Sequence, residues 1–176
     1  MRWFAALAAV ALGALAAPLL LVVLVVGGGT PAGPDGGTGT GGRGVVVPGE
    51  PIVLASVDGI TVNARITGQV AAMVTAAGAG GVRLTGGGYR SPAAQIETRR
   101  ANCGSSYYAI YEMPPSACRP PTARPGSSQH EVGLAIDFAN CQSRGSACYR
   151  WLAANASKFS FYNLPSEPWH WSTTGR

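Results

Sequence analysis

The sequence predicts an α+β fold, a small and mainly antiparallel sheet with flanking helices, preceded by one transmembrane helix. Two observations in residues 44–176 indicate the sheet and the helices: short runs of alternating apolar residues are separated by segments with helical spacing, and the two kinds of segment do not follow a regular βαβ order. The third observation is an uncharged apolar run from Trp3 to Val26, which is long enough to cross a hydrocarbon core of about 30 Å. The chain therefore divides into an apolar segment (1–26), a Gly-rich linker (27–43) and one domain of ordinary size (44–176).

The apolar segment fits an uncleaved membrane anchor better than a cleaved signal peptide. A signal peptide usually has an apolar region of about 7–15 residues, and cleavage after Ala16 would leave the apolar run Leu19–Val26 as a new terminus. Arg2 precedes the run and the first charge after it is Asp35, so the positive-inside rule places the N-terminus in the cytoplasm. We expect a single-pass protein of the cell membrane with an extracytoplasmic domain, or a secreted one if the segment is cleaved.

The linker is expected to be a tether, and the charge distribution bears on the kind of partner. Residues 27–43 are almost wholly Gly, Thr, Pro and Ala, a composition typical of a flexible tether. The formal net charge is +5, but the arginines are scattered rather than clustered, which disfavours a nucleic-acid partner. A mildly basic exterior instead suits an anionic cell wall or membrane surface. We expect the protein to be a monomer.

The first half of the domain is expected to contain one helix and up to three short strands. Val45–Val47 and Ile52–Leu54 are apolar runs that are either edge strands or packed extended chain. Residues 63–77 have the apolar spacing of one helix face, and the glycines that begin at Gly78 end it. Val82–Thr85 is expected to be a strand. Three glycines follow it and permit a tight turn or a close approach to a ligand.

The second half is expected to contain two helices and two strands. Ser91 is a candidate N-cap with Pro92 at the first helical position, which predicts a helix to about Arg100. Another helix is expected over residues 147–158. The segment from 102 to 126 has no clear period and many prolines, so it is expected to be functional or cross-linked.

The expected strands place two polar side chains away from the apolar ones. Leu134, Ile136 and Phe138 alternate with Asp137, which therefore faces the opposite side. In the same way His170 alternates with the tryptophans on either side of it.

Four cysteines predict two disulfides. The number is even and the domain is expected to be exported, while no Cys-x-x-Cys pair indicates a zinc knuckle or a redox motif. Of the three possible connectivities, we predict the one that joins nearest neighbours. These pairs are Cys103–Cys118 and Cys141–Cys148.

The chain contains only two histidines, and each lies close to a carboxylate. His130 and His170 with Asp137 make up the ligand set of a hydrolytic zinc site with an open position, and Glu167 is left as a base. A single histidine is more often a packed or surface residue, so only the conjunction indicates a metal. The same set can hold non-haem Fe(II). Enzymes of that kind usually carry His and the acid one residue apart, and an exported domain with disulfides suits zinc better.

Three motifs in order resemble a known family. They are Gly88-Tyr89-Arg90-Ser91 with Gln95, Ser128-x-His130-x-x-Gly133-x-Ala135-x-Asp137, and Glu167-x-Trp169-His170-Trp171. The chain resembles the VanY-type D-alanyl-D-alanine carboxypeptidases, which are zinc peptidases of peptidoglycan metabolism. The resemblance covers most of the span from Gly81 to Trp171. It does not cover the apolar segment, the linker or the loop between Cys103 and Cys118.

The resemblance implies a zinc DD-peptidase/Hedgehog-like fold and a role for each motif residue. One zinc ion per domain is expected on His130, Asp137 and His170, with Glu167 as the catalytic base. Arg90 is expected to bind the C-terminal carboxylate of the substrate or to polarise the scissile carbonyl, since a guanidinium is the natural partner of a carboxylate. Lesser substrate contacts, for which structural roles are the alternative, are expected from Tyr89, Gln95, Ser128 and Trp169.

The expected reaction is zinc-dependent hydrolysis of peptidoglycan stem peptides, with removal of a C-terminal D-Ala as the leading expectation. One rival is a peptidoglycan endopeptidase on the same scaffold. Another is a non-catalytic, metal-holding module that binds wall peptides. Glu167 speaks against this last rival, because a purely structural metal site needs no free base.

Overall fold

The computed structural model describes residues 51–176. The expected anchor, the linker and the apolar run Val45–Val47 lie outside these residues. In the part of the chain from 51 onward, no helix combines the length and the apolarity required to cross a membrane.

Six short strands and three α-helices make up the described chain. The strands are β1 (Leu54–Val57), β2 (Ile60–Asn63), β3 (Gly86–Gly87), β4 (Ala135–Phe138), β5 (Tyr162–Asn163) and β6 (His170–Ser172). The helices are α1 (Thr67–Ala79), α2 (Pro92–Cys103) and α3 (Ala147–Asn155). Short 3₁₀ turns occupy Ala64–Ile66, Pro115–Ala117 and Ala156–Phe159, and one π-helical turn occupies Tyr108–Glu112. The mixed α/β architecture with antiparallel pairing agrees with the predicted fold class.

The strands form two antiparallel sheets. β1 and β2 make a hairpin whose two turn residues, Asp58 and Gly59, both have positive φ angles (49° and 80°), as hairpin turns that match the twist of the strands require. The second sheet has the order β3-β4-β6-β5. In its centre, Asp137 of β4 is directly opposite His170 of β6. This register brings the polar side chains of two distant motifs to one place.

Helix α1 contributes one apolar face to the core. Val70, Met73 and Ala77 are buried with the spacing predicted from the sequence. The helix begins later than expected because Asn63 acts as a cap, accepting a hydrogen bond from the Arg65 backbone at 3.1 Å, and a 3₁₀ turn follows. The prediction was therefore right about the helical face, four residues early at its start and two residues short at its end.

The strand predicted at Val82–Thr85 is wrong in position. Leu84 is buried in the core, but the residues that pair with β4 are the next two, Gly86 and Gly87. A side chain at Gly86 would overlap the carbonyl oxygen of Asp137, so only glycine allows the backbone to pair this closely. The apolar pattern of Val82–Thr85 reflects core packing rather than strand pairing.

Both predicted disulfides are present. Cys103–Cys118 has a Cα–Cα distance of 4.5 Å and Cys141–Cys148 one of 5.1 Å. The first closes residues 104–117 into a segment that leaves α2 and returns beside it. We call this stretch the disulfide segment.

Candidate active site

His130, Asp137 and His170 converge on one point. Asp137 and His170 project from paired strands, while His130 comes from the turn before β4, which is closed by hydrogen bonds from Gly133 N to His130 O (3.0 Å) and from Leu134 N to Gln129 O (2.9 Å). Asp137 Oδ1 lies 2.9 Å from His170 Nδ1 and 3.2 Å from His130 Nε2, and these two ring nitrogens are 3.2 Å apart. The predicted ligands therefore form a nearly equilateral triangle.

This triangle fits a tetrahedral metal ion. Ligand bonds of about 2.0–2.1 Å in a tetrahedron place the ligand atoms about 3.3 Å from one another, close to the distances observed. His130 Nδ1 lies 2.6 Å from the carbonyl oxygen of Gly88, and this nitrogen must be the donor because a carbonyl only accepts. In a neutral His130 the lone pair of Nε2 then faces the Asp137 carboxylate. Two acceptors this close favour a cation between them.

The second oxygen of Asp137 is held by Arg90. Arg90 Nη2 donates to Asp137 Oδ2 at 3.1 Å, and Arg90 Nη1 donates to Gln95 Oε1 at 2.9 Å. The Arg90 backbone N–H also donates to His130 O at 3.1 Å. Burial alone would raise the pKa of Asp137, but the close contacts of its carboxyl group with the His130 and His170 rings outweigh burial and hold this pKa far below its ordinary value. Asp137 is therefore a carboxylate at neutral pH.

Glu167 lies in the turn that leads into β6. Its backbone carbonyl accepts from His170 N at 3.1 Å and from Asn163 Nδ2 at 2.8 Å, which fixes the turn. The side chain is buried and lines the same cavity as the triad. Burial raises the pKa of the Glu167 carboxyl, the direction required of a base that works near neutral pH. The turn thus places a carboxyl group of raised pKa beside the three candidate ligands.

These groups line a cavity of about 800 Å³. Of the predicted substrate contacts, Arg90, Gln95, Ser128 and Trp169 line it. Tyr89 belongs to the described chain but is not among the lining residues, and its backbone N–H donates to Thr61 O at 2.6 Å. Its predicted contact with the substrate stays a prediction.

The cavity also has a wall that the motifs did not indicate. Thr98 and Asn102 follow Gln95 on one face of α2, with the helical spacing i, i+3 and i+7. A second wall comes from the disulfide segment and the residues just after it: Pro115, Ser116, Pro120, Pro121, Thr122 and Ala123. The helical spacing of Thr98 and Asn102 from Gln95 could have indicated the first wall. The second wall forms only where the Cys103–Cys118 disulfide closes the segment, which no local sequence pattern reveals.

Two buried charged residues were missed by sequence reasoning. Glu131 accepts hydrogen bonds from the backbone N–H groups of Gly126 (2.8 Å) and Ser128 (3.2 Å), which shapes the loop ahead of His130. Arg99 is fully buried one turn after Gln95 on α2. Glu131 directly follows a motif histidine, so its position could have indicated a role near the site. No sequence pattern indicated that Arg99 is buried.

Comparison with known proteins places this site in a family. The family model described as VanY, D-alanyl-D-alanine carboxypeptidase, matches residues 59–176. A D-alanyl-D-alanine carboxypeptidase of Enterococcus faecalis (strain ATCC 700802 / V583) is 28% identical over 134 residues, which cover 67% of this chain and 50% of that protein. The chain thus spans about half the length of this curated relative.

Two solved structures have a similar fold. VanYB in complex with D-alanine-D-alanine has a TM-score of 0.55 and 25% identity, covering 72% of this chain and 80% of that one. An alanine mutant of the vancomycin resistance D,D-pentapeptidase VanY, from a VanB-type resistance cassette and in complex with Zn(II), has a TM-score of 0.53 and 26% identity, covering 69% and 78%. With a family model that matches two thirds of its length and these likenesses in fold, the chain belongs to the VanY family of D-alanyl-D-alanine carboxypeptidases.

Proposed function

We propose that the chain is a zinc-dependent carboxypeptidase that removes the C-terminal D-Ala from peptidoglycan stem peptides. The observation that carries the proposal is the triangle of His130, Asp137 and His170, which shares one cavity with Glu167 and Arg90. The zinc-bound and D-alanyl-D-alanine-bound VanY structures support the metal and the substrate.

His130, Asp137 and His170 would hold the zinc ion. When bound, zinc acts as a Lewis acid and lowers the pKa of a coordinated water to about 7. The hydrogen bond from His130 Nδ1 to Gly88 O orients this ring, and the bond from Arg90 to Asp137 Oδ2 leaves Oδ1 directed at the triangle. Such outer contacts fix ligand orientation in metal sites.

Glu167 is the general base in this proposal. A carboxylate three residues before His170, in a turn closed by the His170 N–H, lies beside the reacting atoms. It accepts the proton of the attacking water and later delivers it to the amine of the leaving D-Ala. The buried position and raised pKa of Glu167 support both proton transfers.

Arg90 recognises the terminal carboxylate of the substrate or polarises the scissile carbonyl. Two of its five N–H donors are used by Gln95 and Asp137, and the residue lines the cavity. Gln95 uses its oxygen for Arg90 and its nitrogen for Ala123 O at 2.7 Å. Its amide is therefore a support that positions Arg90, with a direct substrate contact as a lesser role.

Ser128 and Trp169 border the substrate space. Ser128 Oγ accepts from the His130 backbone N–H at 3.3 Å, and the Trp169 carbonyl accepts from Phe138 N at 2.9 Å. Both residues thus combine a structural bond with a place in the cavity lining.

Endopeptidase activity is the second candidate, and the extent of the cavity is compatible with it. The cavity continues past Arg90 along α2 to Asn102. This space would take the residues beyond the scissile bond in an endopeptidase, and the rest of the stem in a carboxypeptidase. A non-catalytic wall-peptide module is less consistent with the buried base, Glu167.

We further propose that residues 1–26 anchor the chain in the cell membrane, with the catalytic domain on the extracytoplasmic side. The uncharged run from Trp3 to Val26 supports the anchor. The two disulfides support an oxidising compartment.

The direct test is to incubate the full chain with a stem pentapeptide that ends in D-Ala-D-Ala and to identify the products by mass spectrometry. We expect loss of one alanine, no loss after treatment with a chelator, and recovery when zinc is added. Internal cleavage would favour the endopeptidase. No cleavage of any stem peptide by the zinc-loaded chain would contradict both activities.

A further inference from the structure

The disulfide segment exposes an unusual aromatic surface. Tyr107, Tyr108 and Tyr111 are 71%, 53% and 40% exposed, and the rings of Tyr107 and Tyr111 contact each other with centroids 4.9 Å apart. We call these three residues the tyrosine platform. Rings that expose this much apolar surface in one place indicate an interaction site rather than a packing role.

A buried arginine, Arg99, holds the backbone of the tyrosine platform in place. The Arg99 guanidinium is fully buried and donates to four backbone carbonyl oxygens at 2.5–2.9 Å. Three of these carbonyls belong to the π-helical turn that carries the platform or to the residue that caps it: Ala109, Ile110 and Met113. Burial of a guanidinium without a carboxylate is expensive. The π-helical turn that it holds is of a rare kind that is frequent at functional sites.

The same segment reaches the proposed active site. Residues Pro115 and Ser116 line the substrate cavity, and the Cys103–Cys118 disulfide joins the end of α2 to the end of the segment. The fourth carbonyl held by Arg99, that of Thr122, lies in the cavity wall as well. One buried side chain thus fixes the platform and the cavity wall together.

We propose that the tyrosine platform binds the glycan strand to which the stem peptide is attached, an inference that rests on the proposed function. A pyranose ring offers a face of C–H groups that packs on an aromatic ring, while its hydroxyl and acetamido groups can bond to a phenol. The length of α2 between the site and the start of the disulfide segment is close to the length of the stem. From Gln95, which holds Arg90, to Cys103, where the segment leaves α2, the helix rises about 12 Å. The four stem residues between the sugar and the scissile bond span about 13–14 Å when extended.

The test measures binding and does not depend on turnover. The full chain is titrated with a tetrapeptide stem, which is the reaction product, either free or attached to its disaccharide. We expect the disaccharide to tighten binding about tenfold, the scale of one or two aromatic contacts. The double variant Tyr107→Ser/Tyr111→Ser should lose this gain and bind the free peptide as the unsubstituted chain does.

Tyr162→Ser is the matched control, because Tyr162 is 44% exposed and lies on β5, outside the disulfide segment. It should retain the tenfold gain. Equal binding of the two ligands by the unsubstituted chain would overturn the proposal. The proposal would also be overturned if the unsubstituted chain and Tyr162→Ser bind phosphatidylglycerol vesicles and the double variant does not, since the platform would then bind a lipid surface. Absence of hydrolysis with an intact gain would contradict the proposed function only.

Discussion

Asp137 and His170 are directly opposite each other on the antiparallel strands β4 and β6, with Asp137 Oδ1 2.9 Å from His170 Nδ1. The strand register, rather than a flexible loop, sets this distance. A shift of β4 by one residue would turn Asp137 to the other face of the sheet, away from His170. The apolar neighbours Ile136 and Trp171, which are buried in the core, oppose such a shift. The core therefore fixes the geometry of the candidate metal site.

Removal of one ligand should strongly weaken zinc binding. We expect His170→Ala to lower zinc affinity by more than about 100-fold, because even outer contacts of metal ligands are worth 10–100-fold. Competition with a chromogenic chelator measures this loss, and Tyr162→Ser on the neighbouring strand should bind zinc as the unsubstituted chain does. Unchanged affinity in His170→Ala would remove this residue from the ligand set.

Glu167→Gln should separate metal binding from catalysis. The substitution keeps the shape of the side chain and removes its basic carboxylate, so we expect one zinc per chain and a loss of about 10²–10⁴-fold in kcat. Metal content and steady-state rates on the stem pentapeptide are measured on the same preparation. A variant that turns over at the full rate would show that another group accepts the proton.

The same variant should change how stability depends on pH in the metal-free protein. Burial raises the pKa of Glu167 in the folded state, so above the ordinary glutamate pKa of about 4.3 the folded state binds more protons than the unfolded one. Stability from this group is present at low pH and is lost as pH rises through the folded-state pKa. Relative to the unsubstituted chain, Glu167→Gln should gain unfolding free energy across this window. Urea unfolding of chelator-treated samples tests this, and a difference that does not vary with pH would contradict it.

The two disulfides should differ in their contribution to stability. The 15-residue separation of Cys103 and Cys118 predicts a loss of about 3 kcal/mol when both are replaced by Ala, and the 7-residue separation of Cys141 and Cys148 predicts about 2.4 kcal/mol. Denaturant unfolding of the two double variants measures the difference. The 103–118 variant should also bind the disaccharide-linked tetrapeptide more weakly, because this disulfide closes the segment that carries the tyrosine platform. The reverse order of stability would mean that strain or residual structure outweighs loop entropy.

The metal site could be predicted from the sequence because its residues occur in local patterns. The alternation around Asp137 and the short spacing from Glu167 to His170 each specify a local geometry, and strand pairing brings the two together. The strand at Val82–Thr85 was misplaced because apolar alternation also occurs in packed chain outside a sheet. Arg99 was missed for a different reason. Its acceptors lie 10 to 23 residues away along the chain, and only the folded disulfide segment brings them together.

The final prediction concerns Arg90 and separates the two candidate activities. If Arg90 pairs with a free terminal carboxylate, amidation of the substrate should reduce kcat/KM strongly in the unsubstituted chain and no further in Arg90→Ala. The two losses should not add, because each removes the same contact. A charge left without its partner in a partly buried site makes a loss of at least about 2 kcal/mol reasonable, roughly 30-fold. Gln95→Leu removes the support of Arg90 Nη1. It should reduce kcat/KM less than Arg90→Ala does, and only for the peptide with a free C-terminal carboxylate. If the amidated peptide is cleaved as fast as the free acid, Arg90 does not read the terminus. The arm of the cavity along α2 would then serve a longer chain, as an endopeptidase requires.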